Sequence, residues 1–179
     1  AMACQPVEIA GLNRMRRKMM DMAIRNDPAW MNGDYKEQPK VGLANALLLS
    51  ALVGVSQLNF QRSYPTRAAM DKYVEDYIAG ELPKRDANDI LYQYDSSRTY
   101  DPRNDLTKIT TQFLHVNTAD DIINPPELGD VDKLIKNVPH GRFVLIPISE
   151  KTRGHQSYNY PDLWKQYLED LLKIGRAHV

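Results

Sequence analysis

Phe113-Leu114-His115-Val116-Asn117-Thr118-Ala119-Asp120-Asp121-Ile122-Ile123-Asn124-Pro125-Pro126 reads as an apolar strand that ends in two carboxylates and a loop stopped by prolines. A second strand is predicted over residues 142–148, running into Thr152-Arg153-Gly154-His155. An acid and a histidine therefore sit just past the carboxyl ends of two buried strands, where open α/β sheets place their chemistry. Residues 127–138 read as a helix between the strands. A final helix opens with Pro161 and repeats Leu163, Trp164, Tyr167, Leu168, Leu171 and Leu172. This alternation predicts parallel βαβ units and an α/β fold. No Gly-x-Ser-x-Gly turn occurs in the sequence, so the acid and histidine read as the second half of an enzyme.

Working back from the first strand, the pattern becomes helical. Over residues 11–26, Leu12, Met15, Met19, Met22 and Ala23 recur at helical spacing, with Arg14, Arg16, Arg17, Lys18 and Arg25 mostly on the other faces. Asp27-Pro28 stops that helix. Residues 41–55 are apolar around their circumference but fall short of the ~20 residues needed to span a bilayer, which predicts a buried or pocket-lining helix and no membrane span. A further helix is predicted to begin near Pro65, to bury Met70, Tyr73, Val74, Tyr77 and Ile78, and to end at Gly80. Asp86, with Asp89 three residues on, suits the cap of a short helix carrying Ile90, Leu91 and Tyr94.

Of the 179 residues 42% are hydrophobic, enough for one ordinary domain with a core. Lysine plus arginine and aspartate plus glutamate number 23 each, so the net charge is zero and no global field draws the chain to nucleic acid or an anionic membrane. The single cysteine, Cys4, rules out an internal disulfide and a cysteine-rich metal site. Ala1-Met2-Ala3-Cys4-Gln5-Pro6 reads as the end of a strand, and residues 174–179 resemble a translated adapter with no periodicity or cap, so the coding region is expected to be cut at both ends.

Four separated patterns together resemble the homoserine O-acetyltransferase group of the α/β-hydrolase superfamily over residues 1–173. They are Asn26-Asp27-Pro28-Ala29-Trp30 with Gly33-Asp34-Tyr35 and Gly42-Leu43-Ala44; Asp86-Ala87-Asn88 with Leu91-Tyr92 and Asp95; Asp121 four residues before Pro125; and Gly154-His155. The resemblance implies a partial α/β-hydrolase fold: the end of the nucleophile-side strand and its loop at 1–10, a helical cap at 11–107, and the last two parallel strands with their helices at 108–173, with 174–179 non-native. It also implies that Asp121 is the acid and His155 the base of a catalytic triad whose serine is absent here. A serine hydroxyl needs an imidazole to take its proton and a carboxylate to hold that ring, which agrees. The chain departs from the group at Gln156, where an acid commonly follows the histidine, and at Asn45-Ala46-Leu47-Leu48-Leu49, where an arginine-containing pocket helix is usual. Both departures point to a more apolar pocket and away from an α-amino acid acceptor.

Plainer roles stand beside these. Asp120 reads as a cap or surface acid, His115 as a satisfied interior histidine, His140 as a turn residue, and His178 belongs to the tail. No histidine has a metal-binding companion at suitable spacing. A Cys4, Asp121, His155 order also fits a nucleophilic triad, but Cys4 lacks the glycines of a nucleophile elbow. The basic cluster at Arg14, Arg16, Arg17 and Lys18 reads as a solvated face, with contact to an anion such as coenzyme A as its functional alternative. The expected function is serine-dependent ester hydrolysis or O-acyl transfer by the intact parent. It needs no cofactor beyond acyl-coenzyme A as a co-substrate if it is a transferase, and its partner is a small ester or acyl acceptor. The 179-residue chain itself is expected to be inactive, and to aggregate or to dimerise through the cap or an exposed sheet edge. The competing reading is a non-enzymatic binding module of the same fold.

Overall fold

Strand β1 (Phe113–Thr118) and strand β2 (Gly141–Ile146) pair in parallel, with Phe113 opposite Gly141 and Thr118 opposite Ile146. Apart from Phe113, every β1 side chain is buried, as a parallel strand covered on both faces requires. On the other side of β1 the chain start adds a stub: Val116 N–H donates to the Ala1 carbonyl at 2.9 Å and Ala3 N–H to the Val116 carbonyl at 3.0 Å. The computed structural model describes residues 1–176, excepting the side chains of Val53 and of 174–176.

The chain divides into two compact units. The first holds Ala1–Glu8, Gly54–Asn59 and the described part of Tyr100–Val179. Its core is Leu114, Val116 and Ile146, with Met2, Val144, Leu163, Trp164, Tyr167 and Leu171 packed on them. The last helix, α7 (Lys165–Arg176), thus supplies the expected stripe from one side only: Leu168 and Leu172 are exposed. It is preceded by a separate 3-10 turn at Pro161–Leu163. Its backbone runs on through Arg176, past the end expected at 173. Residues 177–179, the remainder of the suspected tail, lie outside the described residues.

Two further expectations in this unit change. The second strand ends at Ile146 and not at 148, because Pro147 cannot continue the ladder of hydrogen bonds. The helix expected over 127–138 is broken into a 3-10 turn (Pro126–Leu128), the five-residue helix α6 (Asp130–Leu134) and another 3-10 turn (Ile135–Asn137). Gly129 breaks it by adopting a left-handed φ of 69°.

The second unit, Ile9–Val53 with Phe60–Thr99, is helical. Helix α1 (Gly11–Arg25) buries Met20, Ile24 and Arg16. The stripe Leu12, Met15, Met19 and Met22, read from the sequence as the core side, is exposed. Two apolar rows at helical spacing lie on this helix, and periodicity alone does not say which one meets a neighbour. Nor is the basic cluster simply solvated: Arg16 is buried, Lys18 pairs with Asp21, and Arg17 bonds Asn13, the Tyr94 carbonyl and Ser97.

Helix α2 (Lys40–Gly54) sinks Leu43, Ala46 and Leu47 into the core with Met20, Ile24, Trp30, Ala87 and Ile90. Its other side, Leu48, Leu49 and Leu52, lines a cavity of about 620 Å³ with Met19, Met22, Phe60, Met70 and Tyr73. A short helix not expected from the sequence, α3 (Gln57–Ser63), follows. Helix α4 (Arg67–Glu81) is capped by the Thr66 hydroxyl, not opened by Pro65, and runs through Gly80; Met70, Tyr73, Val74, Tyr77 and Ile78 are only half-buried. Helix α5 (Ala87–Asp95) is capped by Asp86, which accepts from the N–H groups of Asn88 and Asp89. No single helix among the described residues is long and apolar enough to cross a membrane.

The motif residues of this unit are pins. The Asp27 carboxylate accepts from Ala29 N–H and Gly42 N–H. Trp30 donates to Asn88, Asn88 to the Gly33 carbonyl, and Tyr35 to Asp86. Gly42 lets α2 press on α1: a Cβ there would strike the Ala23 carbonyl and come within 2.9 Å of Asp27 and Ile24.

Candidate active site

Asp121 stands three residues past β1, on a turn closed by its own N–H donating to the Thr118 carbonyl at 3.1 Å. Its carboxylate folds back over the loop that follows. Oδ1 accepts from Ile123 N–H at 2.9 Å and Asn124 N–H at 3.1 Å, the local pattern that makes aspartate a turn residue. That fixes the second oxygen, and Oδ2 lies 3.0 Å from Nδ1 of His155, 34 positions further on. The Asp121 side chain is wholly buried, while that of His155 keeps 22% of its surface exposed. The two residues singled out from the sequence are thus brought together as a hydrogen-bonded pair with one end dry and the other reachable. The His155 ring also meets the Tyr158 ring edge-on at 5.7 Å.

The loop carrying His155 is held from several sides. Thr152 is fully buried, and its hydroxyl lies 2.9 Å from both Asp120 Oδ2 and the Ser149 carbonyl. Asn59 donates to the Thr152 carbonyl, and the Ser157 hydroxyl accepts from Arg153 N–H at 2.8 Å. Gly154 has φ of 58°, and a Cβ on it would sit 2.7 Å from the Val55 carbonyl oxygen. Glycine is required there both for its backbone angle and for the close approach.

Asp120, read from the sequence as a cap or surface acid, is half-buried and bonds the distant histidine loop, not the loop that follows it. Oδ2 accepts from the Thr152 hydroxyl and from Gly154 N–H, and Oδ1 is buried with no hydrogen-bond partner among the described residues. Adjacent aspartates read alike in a sequence; only the fold sends their side chains to different partners. Thr118 and Thr152 were likewise missed, since no local signal marks a threonine whose partner lies more than 30 positions away.

The remaining candidates fall elsewhere. His115 is buried beside Phe143, with ring centroids 5.4 Å apart, but it is not a satisfied interior histidine: Nε2 has no hydrogen-bond partner among the described residues. Burial pushes its pKa down to about 4. Burial pushes the Cys4 thiol up, the opposite of what a nucleophilic thiolate needs. Ser56 is buried with its hydroxyl unbonded among the described residues and its backbone against Gly154. His140 is exposed in the turn before β2. Among the described residues no three His, Cys, Asp or Glu side chains gather as a metal site.

No family model and no curated protein matches the chain. Solved structures do. The homoserine O-acetyltransferase from Bacillus anthracis superposes with a TM-score of 0.80 at 20% identity, over 96% of this chain and 52% of that one. Esterase E22 gives 0.82 at 14% identity over 96% and 53%. An acetylester hydrolase from Corynebacterium glutamicum gives 0.79 at 16% identity over 96% and 53%. The chain spans about half the length of the structures it matches. At this level of identity the likeness concerns the fold, and the fold is that of part of an α/β-hydrolase: a helical section, then two parallel strands with their helices.

Proposed function

We propose that this chain carries the acid and the base of a serine-dependent α/β-hydrolase acting in ester hydrolysis or O-acyl transfer, and that the serine comes from sequence outside these 179 residues. The observation that carries the reading is the 3.0 Å contact between Asp121 Oδ2 and His155 Nδ1, made by a carboxylate whose other oxygen is already tied to two backbone N–H groups. A proton on Nδ1 donates to that carboxylate. Nε2 is then the acceptor, and no described residue bonds to it.

In the proposed reaction Nε2 takes the serine proton as Oγ attacks the acyl carbonyl carbon. It returns that proton to the leaving alcohol, or to the leaving thiolate of acyl-coenzyme A, as the tetrahedral intermediate collapses to an acyl-enzyme. Water or an acceptor alcohol then attacks the acyl carbon, losing its proton to Nε2; the bond from that carbon to Oγ breaks as the second tetrahedral intermediate collapses, and Nε2 returns the proton to the serine. The neutral Gln156 beside His155 favours an ester or alcohol without an α-amino group.

The test is turnover of p-nitrophenyl acetate by the protein extended through its upstream reading frame. His155→Ala and Asp121→Asn are expected to lower kcat by about 10³- to 10⁴-fold, and the 179-residue chain to show no turnover. Activity that survives both substitutions would overturn the assignment. The interaction-module reading rests on the 620 Å³ apolar cavity of the helical unit. It gains if the upstream frame carries no serine elbow.

A further inference from the structure

The residue before the proposed base is held at both of its backbone polar groups by side chains from the end of β1. Gly154 N–H donates to Asp120 Oδ2 at 3.1 Å, and the buried Thr118 hydroxyl donates to the Gly154 carbonyl at 3.1 Å. Asp120 also holds the Thr152 hydroxyl. Asp121, next in sequence, reaches past this clasp to the His155 ring. One short segment, 118–121, therefore grips the histidine loop twice, by the backbone just ahead of His155 and by the imidazole itself.

We propose that Asp120 and Thr118 are positioning residues that fix the Gly154 peptide and thereby hold the His155 imidazole within reach of the Asp121 carboxylate. The physical reason is leverage. A left-handed glycine packed against the Val55 carbonyl has no side chain to anchor it, so the two peptide planes that meet there are set by what bonds its N–H and C=O: Asp120 on the first, and the Thr118 hydroxyl with Ser157 N–H, at 3.0 Å, on the second. Loosening either plane swings the Cα–Cβ bond of His155, and displacement on the order of 1 Å in a catalytic group costs about a hundredfold in rate. The inference rests on the proposed triad for its catalytic meaning, though not for its geometry.

The experiment reads the tautomer of His155 in the 179-residue chain by nitrogen NMR of its imidazole, with Asp121→Ala, which leaves nothing to bond Nδ1, as the uncoupled reference. The native chain is expected to show a single form protonated on Nδ1. Asp120→Ala and the near-isosteric Thr118→Val are expected to give the mixed tautomers of the reference. Asp120→Asn, whose amide oxygen still accepts from Gly154 N–H, is expected to keep the native form. If Asp120→Ala fails to fold, Thr118→Val carries the test alone. A native tautomer in the Thr118→Val chain, or in a folded Asp120→Ala chain, overturns the proposal.

In the extended protein the same two substitutions should lower kcat about a hundredfold with KM changed less than about twofold. Turnover lost in His155→Ala but untouched in Asp120→Ala and Thr118→Val sinks the positioning role and leaves the triad standing. Tautomers disturbed as expected, with turnover indifferent to His155→Ala, sinks the triad and leaves the clasp.

Discussion

Two histidines in this chain show how environment alone divides one residue type into different roles. His155 has its Nδ1 on a buried carboxylate and part of its ring in reach of solvent. His115 sits in the sheet with an unbonded Nε2 and a pKa pushed down to about 4 by burial. The consequence for stability has a definite sign. The unfolded chain holds His115 near the ordinary 6.5, so between that value and 4 the unfolded state binds more protons. Stability is complete above about pH 6.5 and falls as pH drops toward 4. At about 1.4 kcal/mol per pKa unit the loss reaches roughly 3 kcal/mol. Thermal melts across this range should show the slope in the native chain and a flatter one in His115→Phe; equal slopes in both would refute it. Asp27, held below its ordinary 3.8 by the Gly42 and Ala29 N–H groups, loses its contribution only at still lower pH, so the two effects separate.

At the level of elements, the sequence exposed what is encoded locally. The two strands follow from apolar runs bounded by turn residues, and the Asp86 cap from a carboxylate acting on backbone two and three residues on; these were legible. The core side of α1 was not, because its choice between the Met20–Ile24 row and the Met15–Met19–Met22 row is made by α2 and α5. Residue order and strand position showed only that an acid and a histidine lie past two strand ends; the choice of Asp121 and His155 as a pair came from the resemblance, and the Asp120 clasp was not legible at all. Gly42 offers the sharpest test of how α1 and α2 meet. Gly42→Ala drives a methyl into the Ala23 carbonyl and within 2.9 Å of Asp27 Cβ, and is expected to cost about 3 kcal/mol, near the upper end for overpacking. Denaturant midpoints measure this. An unchanged midpoint would mean that the helices separate more easily than their packing implies. Met20→Ala, which empties a site only 1% exposed, is expected to cost about 2–5 kcal/mol by the same measurement.

For the molecule as a whole, exposed apolar side chains are found in both units. Leu12, Met15, Met19, Met22, Val41 and Leu52 of the helical unit are all more than 40% exposed, as are Leu145 in β2 and Ile148 beyond its end. Exposed apolar surface and an uncovered strand edge favour association. The expected outcome is concentration-dependent self-association in sedimentation equilibrium, weakened by Met19→Lys with Leu52→Lys if the helical unit is responsible. A monomer at all concentrations would contradict this. A different consequence follows from the stub at the chain start, where the Asn124 side chain reaches back 121 positions to the Ala3 carbonyl. All stretches of the helical unit have left the ribosome once residue 99 emerges, whereas the sheet unit gathers its pieces from residues 1–8, 54–59 and beyond 100. During translation the helices can therefore settle before β1, on which Ala1 and Ala3 bond Val116, has been made.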